Sequence, residues 1–224
     1  IGGGTTDIAI FHEGIIRHTA VIPFGGNSVT EDIREGCSVM RNQAELLKTR
    51  FGSALAEENK ENEIICVPGL RGREPKEISV KNLAYVIQAR MEEIIEHVYY
   101  EIKSSGYEKK LIGGVVITGG GALLKHLAQL VEYVTGLDCR VGYPNEHLSK
   151  GMVEEMKSPM FATGIGLVLK GFGHELKPSR ETVATTAGNM SSIPTRPKKS
   201  IFTSIFQKSK KWLEDEDIEE FKES

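Results

Sequence analysis

A chain of 224 residues with 39% hydrophobic and 26% charged side chains has apolar material for one medium domain with appendages, which excludes a fibre and a wholly disordered chain. Its 28 lysines and arginines against 31 acids leave a net charge of −3, so no global positive field recommends nucleic acid as a partner. No apolar run approaches the ~20 residues of a transmembrane helix and no secretory signal opens the sequence, so a cytoplasmic protein is expected.

Residues 5–24 predict two β-strands, 7–11 and 15–21, around a turn at His12-Glu13-Gly14. Ser28 then stands as the N-cap of one helix, and Asn42 with Glu45 three residues later forms a capping-box-like start of another. Short apolar pieces at 64–67 and around Ile78 predict strands. Ser79 precedes a long helical pattern over 80–103, in which Leu83, Ile87, Met91, Ile94, Ile95, Val98 and Ile102 recur at helical spacing, the expected core helix. Residues 111–118 predict a buried strand, Gly119-Gly120-Gly121 a turn and 122–134 a helix, which is the alternation of an α/β fold. Residues 160–172 close the globular part as an apolar helix, and 179–200, rich in Ser, Thr and Pro, predict a flexible linker. The cysteines Cys37, Cys66 and Cys139 are odd in number and far apart, so buried reduced thiols are expected rather than a disulfide or zinc framework. The opening at Ile1, without Met and inside a Gly-rich motif, points to a preceding portion of the native protein.

Gly2-Gly3-Gly4-Thr5-Thr6-Asp7 sets three glycines, two hydroxyls and a carboxylate at the mouth of the hairpin. Glycines let successive backbone N–H groups approach an anion, the hydroxyls add donors, and Asp7 can orient water bound to Mg²⁺. Gly25-Gly26 follows the hairpin, and Gly119-Gly120-Gly121 follows a strand and opens a helix, where bare backbone suits a phosphate or a ribose. Glu45 and Lys48, three apart on a predicted helix, are suited to ribose hydroxyls and adenine, and equally to a solvated helix face.

In this order the features resemble the actin and heat-shock-chaperone ATPase superfamily, with its phosphate loop, hairpin, Gly-Gly turn, A-E-x-x-K helix (here Ala44-Glu45-x-x-Lys48) and later Gly-Gly-Gly adenosine loop. The resemblance implies the second lobe of an actin-like protein, of ribonuclease H-like α/β architecture with a mixed sheet and flanking helices. Residues 1–27 and 110–178 would form its core subdomain, and 28–109 an inserted α/β subdomain. It implies ATP with Mg²⁺ as cofactor, with Gly2 to Thr6 at the β- and γ-phosphates, Asp7 near the metal without ligating it directly, and Gly25 and Gly26 near the sugar-phosphate. Glu45 and Lys48 would serve ribose and base, and Gly119 to Gly121 the adenosine. The family's aspartate before Ile1 and its first lobe are not in this chain, so hydrolysis by these residues alone is not expected, and no catalytic residue is assigned.

At ~100° per residue, Ile201, Phe202, Ile205, Phe206, Trp212 and Leu213 fall within an arc of about 140°. Lysines 198, 199, 208, 210 and 211 accompany this stripe with no acid before Leu213, the pattern of an amphipathic helix lying on an anionic membrane. Residues 214–224 then carry seven acids against one lysine, and this pattern has no counterpart in that reading. An actin-like lobe, a linker and an amphipathic tail (201–224) together resemble the FtsA family of bacterial cell-division proteins. That resemblance implies an ATP-binding, non-enzymatic scaffold with at most slow ATPase activity. The scaffold would form actin-like filaments with itself on the cytoplasmic face of the membrane at the septum, tether FtsZ there and recruit other divisome proteins. The FtsZ C-terminal peptide would dock on the inserted subdomain, where Arg90 and Glu93 match. A pilus-assembly actin-like adaptor and a sugar-kinase-type phosphotransferase share the loops and are the alternatives.

Overall fold

Thr6–His12 (β1) and Ile15–Ile22 (β2) form the antiparallel hairpin that their β-branched residues predict. Its tip is shorter than expected, because His12 still pairs with Ile15. Glu13 and Gly14 turn the chain with φ of 56° and 74°, the two positive values that match a two-residue turn to the twist of its strands. Alternation buries Ile10 and Ile22 and leaves Phe11 and Val21 exposed. The computed structural model describes residues 1–69, 74–145 and 155–175. The chain divides into two units, 1–178 and 179–224, and all the described residues lie in the first. The expected linker and the stripe from Ile201 to Leu213 lie outside the described residues. Among the described residues no helix is long and apolar enough to cross a membrane.

Gly26–Gly36 (α1) begins two residues before Ser28, the expected cap. Gly25, in extended conformation, holds the N-cap position, and its carbonyl accepts from the Ser28 N–H at 3.0 Å. Arg41–Phe51 (α2) likewise begins one residue before Asn42. The reciprocal contact comes from Gln43, whose side chain accepts from the Met40 N–H at 3.1 Å, so Asn42 and Glu45 form no capping box. Ile64–Val67 (β3) and Lys76–Ser79 (β4) pair antiparallel. Val80–Ser104 (α3) is the expected core helix: Leu83, Ile87, Met91, Ile94, Ile95 and Ile102 are buried on it, and only Val98 of the predicted stripe remains half-buried.

The strand expected over 111–118 is reduced to Val115–Ile117 (β5), because Gly114 at φ 68° turns the chain where a Cβ would meet the Asp138 carbonyl oxygen at 2.2 Å. Leu127–Thr135 (α4) starts later than expected, after a 3-10 turn at Gly120–Leu123 and a left-handed His126 at φ 61°. Cys139–Val141 (β6) then pairs parallel with β5, completing a β–α–β unit. Ala162–Glu175 (α5) follows a 3-10 turn at Pro159–Phe161. α5 is the apolar helix expected at the end of the globular part, and it leaves Leu167, Val168, Leu169 and Phe172 exposed.

One apolar cluster joins α1, α2, α3, α4 and β5. The mixed sheet is present as separate antiparallel and parallel pairs. Between β1 and β5 lies a cleft of about 580 Å³, floored by Ile95, Val98 and Ile102 of α3. The cysteines depart from expectation at one position: Cys37 is buried and Cys139 half-buried, but Cys66 is exposed, since alternation along β3 turns Val67 inward instead. Burial raises the pKa of both Cys37 and Cys139, the latter to about 11, which keeps them as protonated, inert thiols.

Ile87 is fully buried at the centre of this cluster. Ile87→Ala should cost about 2–5 kcal/mol of unfolding free energy by denaturant titration. A loss below about 1 kcal/mol would show that α3 does not organise the core.

Candidate nucleotide-binding site

The three glycine runs meet. Gly26 N–H donates to the Gly2 carbonyl at 2.9 Å and Asn27 N–H to the Gly3 carbonyl at 2.7 Å. Gly121 N–H donates to the Ile1 carbonyl at 3.1 Å, and the Ile1 amine donates to the Thr118 carbonyl at 2.7 Å. Three of these glycines are required by the closeness of the approach. A Cβ on Gly25 would lie 2.7 Å from the Gly2 oxygen, one on Gly121 2.5 Å from Ile1 Cγ2, and one on Gly119, at φ 88°, 2.4 Å from the Ile1 oxygen. The N–H groups of Gly26 and Gly121 are therefore committed to the joint between loops.

The loop itself stays open. Gly2 N–H donates to the Thr5 carbonyl at 2.9 Å and closes a tight turn over Gly3 and Gly4. Among the described residues the N–H groups of Gly3, Gly4 and Thr5 make no hydrogen bond, and these residues are exposed. Successive unspent N–H groups in a turn make a concavity for an anion. The Thr5 hydroxyl donates to Asp7 at 3.3 Å, and Asp7 is exposed beside the loop. Thr6 is placed differently from its expected role: its side chain is buried and its hydroxyl donates to the Phe24 carbonyl at 2.9 Å. It ties β1 to the turn after β2 and does not reach the loop's open side.

Glu45 keeps a solvent-facing side, but it and Lys48 are tied into the structure instead of standing free on a helix face. Lys48 Nζ donates to the Gly26 carbonyl at 2.9 Å, to Thr30 Oγ1 at 2.8 Å and to Glu45 Oε2 at 2.8 Å, with its side chain only 16% exposed. Thr30 Oγ1 also lies 2.6 Å from Glu45 Oε2. Burial opposes ionisation of Glu45, but hydrogen bonds from Lys48 and Thr30 and the charges of Lys48 and Arg41 outweigh it and hold the carboxyl below its usual pKa. The site thus carries a fixed carboxylate at neutral pH, and its contribution to stability is present above the unfolded carboxyl pKa and lost as pH falls through the depressed value. Thr30 was missed in the sequence; its signal was its place one helical turn after Gly26.

Arg90 and Glu93 lie elsewhere, on α3 against α1. The Arg90 guanidinium grips Asp32 through Nε at 2.5 Å and Nη2 at 2.9 Å, and its Nη1 bonds Glu93. These bonds, Asp32 first, raise its already high pKa, and the guanidinium carbon stands 5.9 Å from the Phe24 ring centroid. Asp32 was the second residue missed, since nothing in the sequence marks a partner 58 positions before Arg90.

The family model described as cell division protein FtsA matches residues 1–166. The chain belongs to the FtsA family. It is 36% identical over 214 residues to the cell division protein FtsA of Pseudomonas aeruginosa, covering 96% of this chain and 49% of that protein. With FtsA of Neisseria meningitidis it is 38% identical over 169 residues (75% and 40%), and with that of Escherichia coli 33% over 199 residues (86% and 47%). The chain thus spans about half the length of the curated FtsA relatives it matches. Among solved structures it is similar to MreB5 of Spiroplasma citri bound to ADP, at TM-score 0.55 and 22% identity over 79% of this chain and 54% of that one. It is also similar to the MamK double helical filament, at 0.58 and 20% over 80% and 53%. These likenesses establish the actin-like fold of this FtsA-family chain.

Gly25→Ala should lower stability by about 1–3 kcal/mol, because backbone, not a flexible side chain, faces the new methyl. Gly4→Ala, with nothing within 4 Å of the new atom, should stay within about 0.5 kcal/mol. Equal effects in chemical denaturation would remove the packing account of the joint.

Proposed function

We propose that this chain is the ATP-binding lobe of an actin-like cell-division scaffold. Membership of the FtsA family supports the cell-division role, and the open N–H groups of Gly3, Gly4 and Thr5 beside the Gly26–Thr30–Glu45–Lys48 cluster carry the nucleotide reading. A polyphosphate would sit over the loop, and the sugar near Glu45. Gly119 to Gly121 reach that loop through Ile1 and would flank the adenosine. Asp7 stands exposed beside the loop, which suits a metal that travels with its ligand. Mg²⁺ would be held by phosphate oxygens and water, with Asp7 orienting the water. Related folds are found bound to ADP and as a double helical filament, which supports nucleotide binding and self-association; any hydrolysis would be slow.

Anchoring to the cytoplasmic face of the membrane would come from Ile201, Phe202, Ile205, Phe206, Trp212 and Leu213 with their neighbouring lysines. Each lysine near an anionic surface contributes up to about 1 kcal/mol before screening. The FtsZ C-terminal peptide would dock near Arg90 and Glu93. Arg90 is already paired within the protein, so an incoming carboxylate would exchange partners there, and this contact alone would be weak and salt-sensitive. Tethered FtsZ and other divisome proteins would thereby be held at the septum.

In the full-length protein, Lys48→Ala should weaken ATP binding by roughly 10- to 100-fold, because Glu45, Thr30 and the Gly26 carbonyl lose the charge-assisted bonds that hold the cluster in place. Unchanged affinity would end the assignment of this cluster to nucleotide. Trp212→Glu should abolish co-sedimentation with anionic liposomes while leaving ATP affinity unaltered, and pelleting at the wild-type level would remove the membrane role.

A further inference from the structure

We propose that Thr30 is the positioning residue of the nucleotide site, its buried hydroxyl orienting Glu45 so that one carboxylate oxygen is left to accept a hydrogen bond from a sugar hydroxyl. The inference rests on the nucleotide reading above and deepens it.

The donors and acceptors of the cluster can be assigned one by one. A hydroxyl has one hydrogen, an ammonium three, and an ionised carboxylate none. At 2.6 Å from Glu45 Oε2, the Thr30 hydrogen goes to the carboxylate. Lys48 then supplies its three hydrogens to Thr30 Oγ1, the Gly26 carbonyl and Glu45 Oε2. The 2.9 Å separation of Thr30 Oγ1 from the Gly26 oxygen is therefore a contact that Lys48 bridges. Every donor is spent, so Lys48 braces the site and has no hydrogen left for a ligand. Glu45 Oε2 holds two charge-assisted bonds, while Oε1 has no hydrogen bond to any described residue, and the Glu45 side chain is 48% exposed. With the Thr30 and Lys48 donors spent, the remaining acceptor oxygen selects a ligand group that donates, a hydroxyl and not a phosphate. Thr30 is only 1% exposed, so it touches no ligand and acts through Glu45.

Valine has the shape of threonine without the hydroxyl. In Thr30→Val one Lys48 hydrogen loses its acceptor and Glu45 loses one of the two bonds that orient it, whereas Thr30→Ser keeps both. The test is the affinity of the full-length protein for ATP and for 2′-deoxy-ATP by titration calorimetry. Wild type should prefer ATP. Thr30→Val should lose about tenfold in ATP affinity and bring the ATP to 2′-deoxy-ATP ratio close to one, with little change for the deoxy ligand, and Thr30→Ser should restore the wild-type ratio. A general loss of stability would weaken both ligands together and leave the ratio alone. Should Thr30→Val not fold, Thr30→Ala adds no bulk and carries the same expectation. Wild-type binding with an unchanged ratio in the variants overturns the role of Thr30 and leaves the site standing. Wild-type protein that binds neither ligand overturns both.

Discussion

The fold turns on a joint in which backbone lies directly on backbone. The carbonyls of Ile1, Gly2 and Gly3 accept from Gly121, Gly26 and Asn27, which belong to segments far apart in the chain. Such closeness is possible only where no Cβ intervenes, and at Gly25, Gly119 and Gly121 a single added carbon would fall inside van der Waals contact. The joint gathers the hairpin, the start of α1 and the turn after β5 around one loop. It also leaves the N–H groups of Gly3, Gly4 and Thr5 without a hydrogen bond among the described residues, so the glycine run that joins the segments is also the one proposed to receive the polyphosphate.

From that joint α1 carries the geometry inward. Gly26 and Thr30 face α2, where they fix Lys48 and Glu45, while Asp32, less than two turns on, grips Arg90 of α3. Val29 and Ile33 of the same helix are buried in the core. His18 of β2 and Glu101 of α3 add a polar tie at 2.9 Å. The polar cluster therefore stands on a helix clamped at several points, and the rotamers of Glu45 and Lys48 are held by bonds and not by solvent. Such support from behind keeps a binding group in one arrangement before its ligand arrives.

Family and fold answer different questions about this molecule. The match to the FtsA model concerns sequence and selects one branch among proteins with the same loops. The likeness to MreB5 and MamK, at 20–22% identity, concerns architecture alone. The actin-like arrangement supplies the loops, and within a fold chemistry is decided by individual side chains. At the proposed site those side chains are a carboxylate and an ammonium joined through a hydroxyl.

The hairpin, the long core helix and the order of the glycine runs were legible in the sequence because each depends on local rules: β-branched alternation for β1 and β2, a 3.6-residue apolar period for α3, and glycine wherever the backbone must turn. Helix starts were less legible. Ser28 and Asn42 have capping chemistry, but Gly25 and Met40 took the N-cap positions, since the approach of Gly25 to Gly2 and Gly3 and the reach of Gln43 depend on surrounding structure. The sequence by itself determined which residues could bind a phosphate or a sugar, because backbone freedom and side-chain charge belong to the residue. Only the tertiary structure decided that Thr6 is spent on Phe24, that Arg90 is spent on Asp32 and that Thr30 unites Glu45 with Lys48. A hydrogen bond needs atoms within about 3 Å, and which atoms come so close is settled by packing across the fold.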